Sequence, residues 1–114
     1  MQEKYILSID QSTAGTKALL FDSKGDLICR SDKSHRQIID EKGWVEHDPE
    51  EIYRNTVEAV KAVVEKAEID KSLIVGVGIS NQRESAMAWD RGTGKPVYNA
   101  IVWQCARGEA ICKE

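Results

Sequence analysis

Short apolar runs separated by small polar turns dominate the first part of the chain. The runs at residues 5–7 and 18–21 are joined by Gln11-Ser12-Thr13-Ala14-Gly15-Thr16, a pattern that predicts a β-hairpin. A second turn, Ser23-Lys24-Gly25-Asp26, leads into an apolar run at 27–31, so the first thirty residues read as an antiparallel three-strand meander. Residues 35–44 read as a fourth extended segment, turned at Gly43. A helix follows. Asp48 is its N-cap, Pro49 suits the first helical position, and Glu51 stands where a capping box places its partner. Ile52, Thr56, Val57, Val60, Val63, Val64 and Ala67 form an apolar stripe at helical spacing, with Lys61 and Lys66 in the later turns, so the helix is predicted to end at Lys66 or Ala67. After a connector at 69–72, residues 73–79 are almost unbroken apolar, which predicts a strand covered on both faces at the centre of the sheet. Two further extended runs, 85–90 and 97–103, flank a hairpin loop at 91–96. From Gln104 the pattern opens a helix that carries no stop signal, which predicts a piece of a longer sequence.

Composition narrows the class. A chain of 114 residues, 41% hydrophobic and 31% charged, forms one domain with a modest core. The net charge of −3 and the lack of any basic run argue against a nucleic-acid surface. No apolar stretch reaches the roughly 18 residues of a membrane span, and the first residues lack a signal-peptide core, so a cytoplasmic location is expected. Three cysteines, Cys29, Cys105 and Cys112, show no C-x-x-C spacing and have only His35 and His47 beside them; they read as reduced thiols in the core.

The candidate chemistry lies in turns. Ser12, Thr13 and Thr16 offer hydroxyls, Gly15 permits close backbone approach so that amides converge on an anion, and Lys17 adds positive charge. Asp10, just past the first strand, suits a hydrated Mg²⁺ beside that anion, although it also suits the turn's own amides. Arg83-Glu84 follows the continuous apolar strand, where open α/β sheets bind ligands, and Asp10 and Arg83 are expected to face one cleft. A guanidinium beside a carboxylate can donate to and accept from vicinal hydroxyls, a grip for a polyol or sugar; the alternative is a surface ion pair of little energetic consequence. Trp103 is either an apolar wall for such a ligand or a core residue. Gly94-Lys95 is not a P-loop, because Trp89 and Pro96 occupy positions that need Gly and Ser or Thr. The stretch 44–49 reads as strand end and helix cap, without chemistry.

Four segments, IDQSTAGTK (9–17), GWVEHDPEEI (43–52), GISNQRES (78–85) and GTGKPVYNAIVWQC (92–105), carry a resemblance that spans residues 1–114. The chain resembles the amino-terminal part of the FGGY carbohydrate kinases, most closely their glycerol kinase branch. The resemblance implies an actin-like (ribonuclease H-like) α/β lobe, one of two that close over ATP, Mg²⁺ and a small polyol, with a mixed sheet, an antiparallel N-terminal meander and flanking helices. It implies that Asp10 organises Mg²⁺, that Thr13, Ala14, Gly15 and Lys17 line the ATP phosphates, and that Arg83, Glu84 and Trp103 contact the polyol. The reaction implied is transfer of the γ-phosphoryl group to a primary hydroxyl, giving glycerol 3-phosphate from glycerol. Glycerol kinases usually read D-Q-G-T-T-S-S-R where this chain has Asp10 to Lys17, and the Ala-Gly-Thr-Lys ending is more like the xylulose-kinase branch. Lys17 keeps the charge without the guanidinium fork, and Ala106 stands where an arginine is usual. The resemblance places the catalytic base, an aspartate, and most of the adenine pocket beyond these residues, so this piece alone is expected to be inactive, to need the second lobe, and to be prone to self-association through uncovered apolar surface.

Overall fold

In the computed structural model, which describes residues 3–113, seven strands, two α-helices and two 3-10 turns follow one another. Strands β1 (Tyr5–Gln11), β2 (Gly15–Phe21) and β3 (Leu27–Ser34) form the antiparallel meander that the sequence predicts. Helix α1 (Pro49–Ala67) then crosses over, and β6 (Ile74–Ser80) returns parallel to β1, giving a mixed sheet of order β3-β2-β1-β6. A smaller antiparallel sheet, order β4-β5-β7, joins Ile38–Ile39, Val45–His47 and Ala100–Ile101. The chain closes with a 3-10 turn at Ala106–Gly108 and the single-turn helix α2 (Glu109–Cys112); Glu114, at the end of the predicted last helix, lies outside the described residues.

Helix α1 begins as expected, with the Asp48 carboxylate accepting from the Glu50 amide at 3.0 Å and Pro49 in the first turn. The capping box is not closed: Glu51 turns away and accepts from the Arg36 amide at 2.6 Å. The helix ends at Ala67, with Glu68 as a left-handed cap at φ 54°. Its most buried line runs through Asn55, Ala59 and Val63 rather than along the apolar stripe alone. Ala59 and Val63 pack on Leu7, Ile9, Ala18 and Leu20 of the sheet, and Asn55 is buried because its amide has partners there.

Three expectations are corrected. Strand β6 is an edge of its sheet, not the centre: α1 lies over β2 and β3, so Val77 and Ile79, in register with buried Leu7 and Ile9, remain 57% and 69% exposed. The runs at 85–90 and 97–103 form isolated bridges, Ala86–Ile101 and Trp89–Pro96, and only the two-residue β7, because few of their amides find ladder partners. Of the cysteines, only Cys29 packs against the core cluster, while Cys112 is exposed. The shape reflects this incomplete coverage. The radius of gyration is 17.2 Å, where a compact chain of this length takes about 13 Å.

Gly15 is required by the fold itself. A Cβ at this position would lie 2.2 Å from the Lys33 carbonyl oxygen, on the strand paired with β2. Gly15→Ala should therefore weaken the β2–β3 pairing and lower stability by about 1–3 kcal/mol, read as a reduced urea midpoint. An unchanged midpoint would show that the β3 backbone yields without cost.

Candidate active site

The β1–β2 turn is closed by its own atoms. The Ser12 amide donates to the Gly15 carbonyl at 2.9 Å, and the Gly15 amide donates to the Ser12 hydroxyl at 3.3 Å. The His35 amide, just past the end of β3, fixes the turn by donating to the Ala14 carbonyl at 2.9 Å. Among the described residues, the amides of Thr13 and Ala14 have no backbone partner, so two of the N–H groups the sequence offers to an anion remain open.

Beneath the turn runs a directional chain of hydrogen bonds. Thr56 donates to the Ile52 carbonyl at 2.7 Å, and Gln11 Nε2 donates to the Thr56 hydroxyl. Gln11 Oε1 accepts from Thr16 at 2.7 Å. With its one proton so placed, Thr16 Oγ1 accepts from His35 Nε2 at 3.2 Å, and His35 Nδ1 accepts from the Asn55 amide at 3.0 Å. These partners select the neutral Nε2–H tautomer of His35. A second histidine lies 6.0 Å away, ring to ring. Gln37 Nε2 donates to the Thr13 and His35 carbonyls at 2.9 and 3.3 Å, so its Oε1 is the atom facing His47 Nε2 at 2.7 Å. His47 therefore carries its proton on Nε2, and its buried Nδ1 has no partner among the described residues.

A cleft of about 500 Å³ opens beside this turn. Ser12, Thr13, Arg83, Glu84 and Trp103 are among its walls. Arg83 and Glu84 sit in the loop after β6, with Glu84 at φ 57°, a left-handed conformation that costs a side-chain-bearing residue about 1 kcal/mol or more. Trp103 reaches the same cleft because Ala86 and Ile101 exchange two 2.9 Å backbone bonds, which hold the segment at 100–103 against that loop. Trp103 is 53% exposed and its indole N–H donates to the Thr13 hydroxyl at 2.7 Å, so it is a cleft wall and not a core residue. Ala14, Gly15 and Lys17 line a separate recess of about 140 Å³ on the other side of the turn, with Ser12 shared between the two. Asp10 lines neither; its Cα is in register with Lys17 and Ser80 at the end of the ladder, and its carboxylate joins no ion pair among the described residues. The structure thus brings Thr13 to Arg83, Glu84 and Trp103, and leaves Asp10 and Lys17 at the rear of the same turn.

The stretch read as having no chemistry holds the site together. Buried Glu46 of β5 pairs with Arg107 at 2.5 Å and also accepts from Tyr98 and Asn99 at 3.2 and 3.1 Å. Arg107, followed by Asn99 and Tyr98, holds the Glu46 carboxyl below the usual carboxylate range. The same guanidinium lies 4.2 Å over the Trp44 ring and donates to Cys105 Sγ at 3.0 Å. Trp103 lies between the anchored residues 99 and 107. The signal for this in the sequence is a charged residue flanked by Val45 and His47 in a strand that is buried throughout.

A hairpin turn with open amides, a parallel strand followed by a loop that carries Arg83 and Glu84, and a cleft between them belong to an α/β lobe of the actin-like ATPase fold. The chain belongs to the FGGY family of carbohydrate kinases: the profile of the family's N-terminal domain matches residues 5–114. It is 52% identical over 110 residues to glycerol kinase 1 of Thermotoga maritima, covering 96% of this chain and 22% of that protein. It is likewise 52% identical over 111 residues to glycerol kinase of Clavibacter michiganensis subsp. michiganensis, covering 97% of this chain and 22% of that one. In structure it matches a Plasmodium falciparum glycerol kinase with ADP at TM-score 0.85 and 38% identity, and a gluconate kinase from Lactobacillus acidophilus at 0.88 and 26%. These matches cover 96% and 98% of this chain and 22% of each of the others. The chain thus spans about a fifth of the length of its relatives. No helix among the described residues is long and apolar enough to cross a membrane.

Both histidines titrate below their usual value of about 6.5, chiefly because burial disfavours the imidazolium; the neighbouring His47 adds to this at His35, and Glu51 opposes it at both. The unfolded chain binds these protons first, so stability is full above about pH 6.5 and falls as pH drops through that value toward the folded-state values. The melting temperature should therefore decrease from pH 7 to pH 5, and the decrease should shrink in His47→Asn. An equal decrease in that variant would assign the effect elsewhere.

Proposed function

We propose that this chain is the amino-terminal part of an ATP-dependent kinase that phosphorylates a primary hydroxyl of a small polyol, with glycerol converted to glycerol 3-phosphate as the best-supported reaction. The observation that carries this reading is the single cleft joining Thr13 of the phosphate turn to Arg83, Glu84 and Trp103, in a chain identical at about half its positions to glycerol kinases. Arg83 donates to vicinal hydroxyls, Glu84 accepts from them, and the Trp103 ring lies along the carbon chain. Glu84 lines the cleft from a left-handed backbone conformation, which costs energy that the loop's own structure must offset. In this reading Thr13, Ala14 and Gly15 flank the phosphates: the Thr13 and Ala14 amides are open, and Lys17 brings its charge to the recess that Ala14 and Gly15 also line.

Asp10 suits Mg²⁺ as a single carboxylate that joins no ion pair among the described residues, which also hold no group of three or more metal-ligating side chains. That donor set fits an ion held mainly by water and phosphate oxygens. ATP would supply the phosphoryl group, and Mg²⁺ held beside Asp10 would neutralise its charge. What these residues add is alignment: the polyol hydroxyl is held on one side of the cleft and the phosphate turn on the other. The catalytic base and the adenine pocket belong to the remainder of such a kinase, and the uncovered face of β6 is where that remainder would pack. The 114 residues alone should be silent.

A second reading, a kinase for a ketose or another sugar, is favoured by Ala14-Gly15-Thr16-Lys17 and by the fit to gluconate and xylulose kinase structures. A third is a sugar sensor on the same lobe. In a screen of the full-length protein with ATP, Mg²⁺ and a panel of polyols and ketoses, glycerol should support ADP release. Arg83→Ala should lower kcat/KM for the polyol about 10- to 100-fold, and Asp10→Asn should lower kcat about 100-fold. Turnover on a ketose alone would overturn the substrate, and a folded protein inert on the whole panel would favour the sensor.

A further inference from the structure

Thr13 is held from two directions by residues that are not its neighbours in sequence. Its carbonyl accepts from Gln37 Nε2 at 2.9 Å, and Gln37 is fixed in turn by buried His47 at 2.7 Å. Its hydroxyl accepts from the Trp103 indole at 2.7 Å, across a separation of 90 residues. An indole N–H only donates, so the Thr13 oxygen is the acceptor and its own proton points away from the ring. Thr13 and Trp103 share the cleft, so this leftover O–H is a donor available to a ligand there.

We propose that Trp103 and Gln37 are positioning residues for the nucleotide, acting through Thr13: the indole sets the direction of the Thr13 O–H, and Gln37 sets the height of the turn that carries it. The inference rests on the kinase reading above. It gives Trp103 a second task, distinct from lining the polyol, and gives Gln37, to which the sequence assigns no role, a place in the site. A tryptophan that served only as a wall would need its ring and not its N–H. Here the N–H is spent on a threonine of the phosphate turn, and the ring remains exposed to the cleft.

The test is ADP affinity of the full-length protein by calorimetry, without polyol. Trp103→Phe, which keeps an aromatic face and removes the donor, should weaken ADP binding about 3- to 10-fold, the effect of one net hydrogen bond. Gln37→Leu should weaken it to a similar extent. In a Thr13→Val background, Trp103→Phe should have no further effect, whereas Thr13→Ser, which keeps the hydroxyl, should restore the sensitivity. Wild-type ADP affinity in Trp103→Phe, or full additivity with Thr13→Val, would overturn the proposal while leaving the kinase reading intact. Failure of the wild-type protein to bind ADP at all would instead overturn the kinase reading and this inference with it. Melting temperatures separate the alternatives further: a general loss of folding would reduce the number of ADP sites, and a positioning defect reduces affinity at full stoichiometry.

Discussion

The hydrogen-bond chain from the Ile52 carbonyl through Thr56, Gln11, Thr16 and His35 to Asn55 ties the β1–β2 turn to helix α1. Thr16, His35 and Asn55 are buried, and Gln11 and Thr56 are partly so, so each polar atom left without its partner would carry a desolvation penalty. Only one orientation of each amide and one tautomer of His35 satisfies all of them. The hairpin is consequently held in place by partner count, not merely by the apolar contacts of Leu7, Ile9, Ala18 and Leu20 with Ala59 and Val63. The apolar core brings sheet and helix together; the polar chain fixes where the turn sits on them. Neutral His35 is part of that arrangement, because a second proton on its ring would face the Asn55 amide donor.

A second constraint works on the far side of the cleft. Glu46 is buried with two neutral donors and one guanidinium, and Arg107 is shared among Glu46, Cys105 and the face of Trp44. Removing either charge would strand the other in a half-dry site, so the pair acts as a unit. Its effect is geometric. Residues 99 and 107 are fixed to β5, the exchange between Ala86 and Ile101 fixes the loop after β6, and the tryptophan between these anchors has one side open to the cleft.

The meander, helix α1 and the strand before Arg83 were legible because period-two and helical patterns, a Ser/Thr/Gly turn and an Asp-Pro cap are local signals. The resemblance put Arg83, Glu84 and Trp103 at one site, and the three line one cleft with Thr13; the rule that ligands lie beyond strand ends put Asp10 in that cleft with Arg83, and Asp10 does not line it. The importance of Gln37, His35, His47 and Glu46 was not legible: each is an ordinary polar residue whose meaning comes from partners 2 to 61 positions away. Gly15 was read as a residue for approaching a ligand, while the space it leaves is taken by the Lys33 carbonyl. The apolar run of β6 was read correctly as a strand, and incorrectly as a central one covered on both faces.

That last difference bears on how the site works. Leu7 and Ile9 are buried under α1, while Val77 and Ile79, beside them on the same face, are not. The Arg83-Glu84 loop follows this uncovered strand, whereas the β1–β2 turn grows from the covered hairpin. Half of the cleft is therefore built on the best-packed part of the molecule and half on its least-packed edge. Local opening should favour the β6 side, since fewer apolar contacts oppose it. The Trp103–Thr13 bond is the direct link between a residue anchored beside that edge and the rigid turn. Any element packed on β6 would add apolar contacts at the strand from which the Arg83-Glu84 loop grows, so covering that edge and stiffening that side of the cleft are physically coupled.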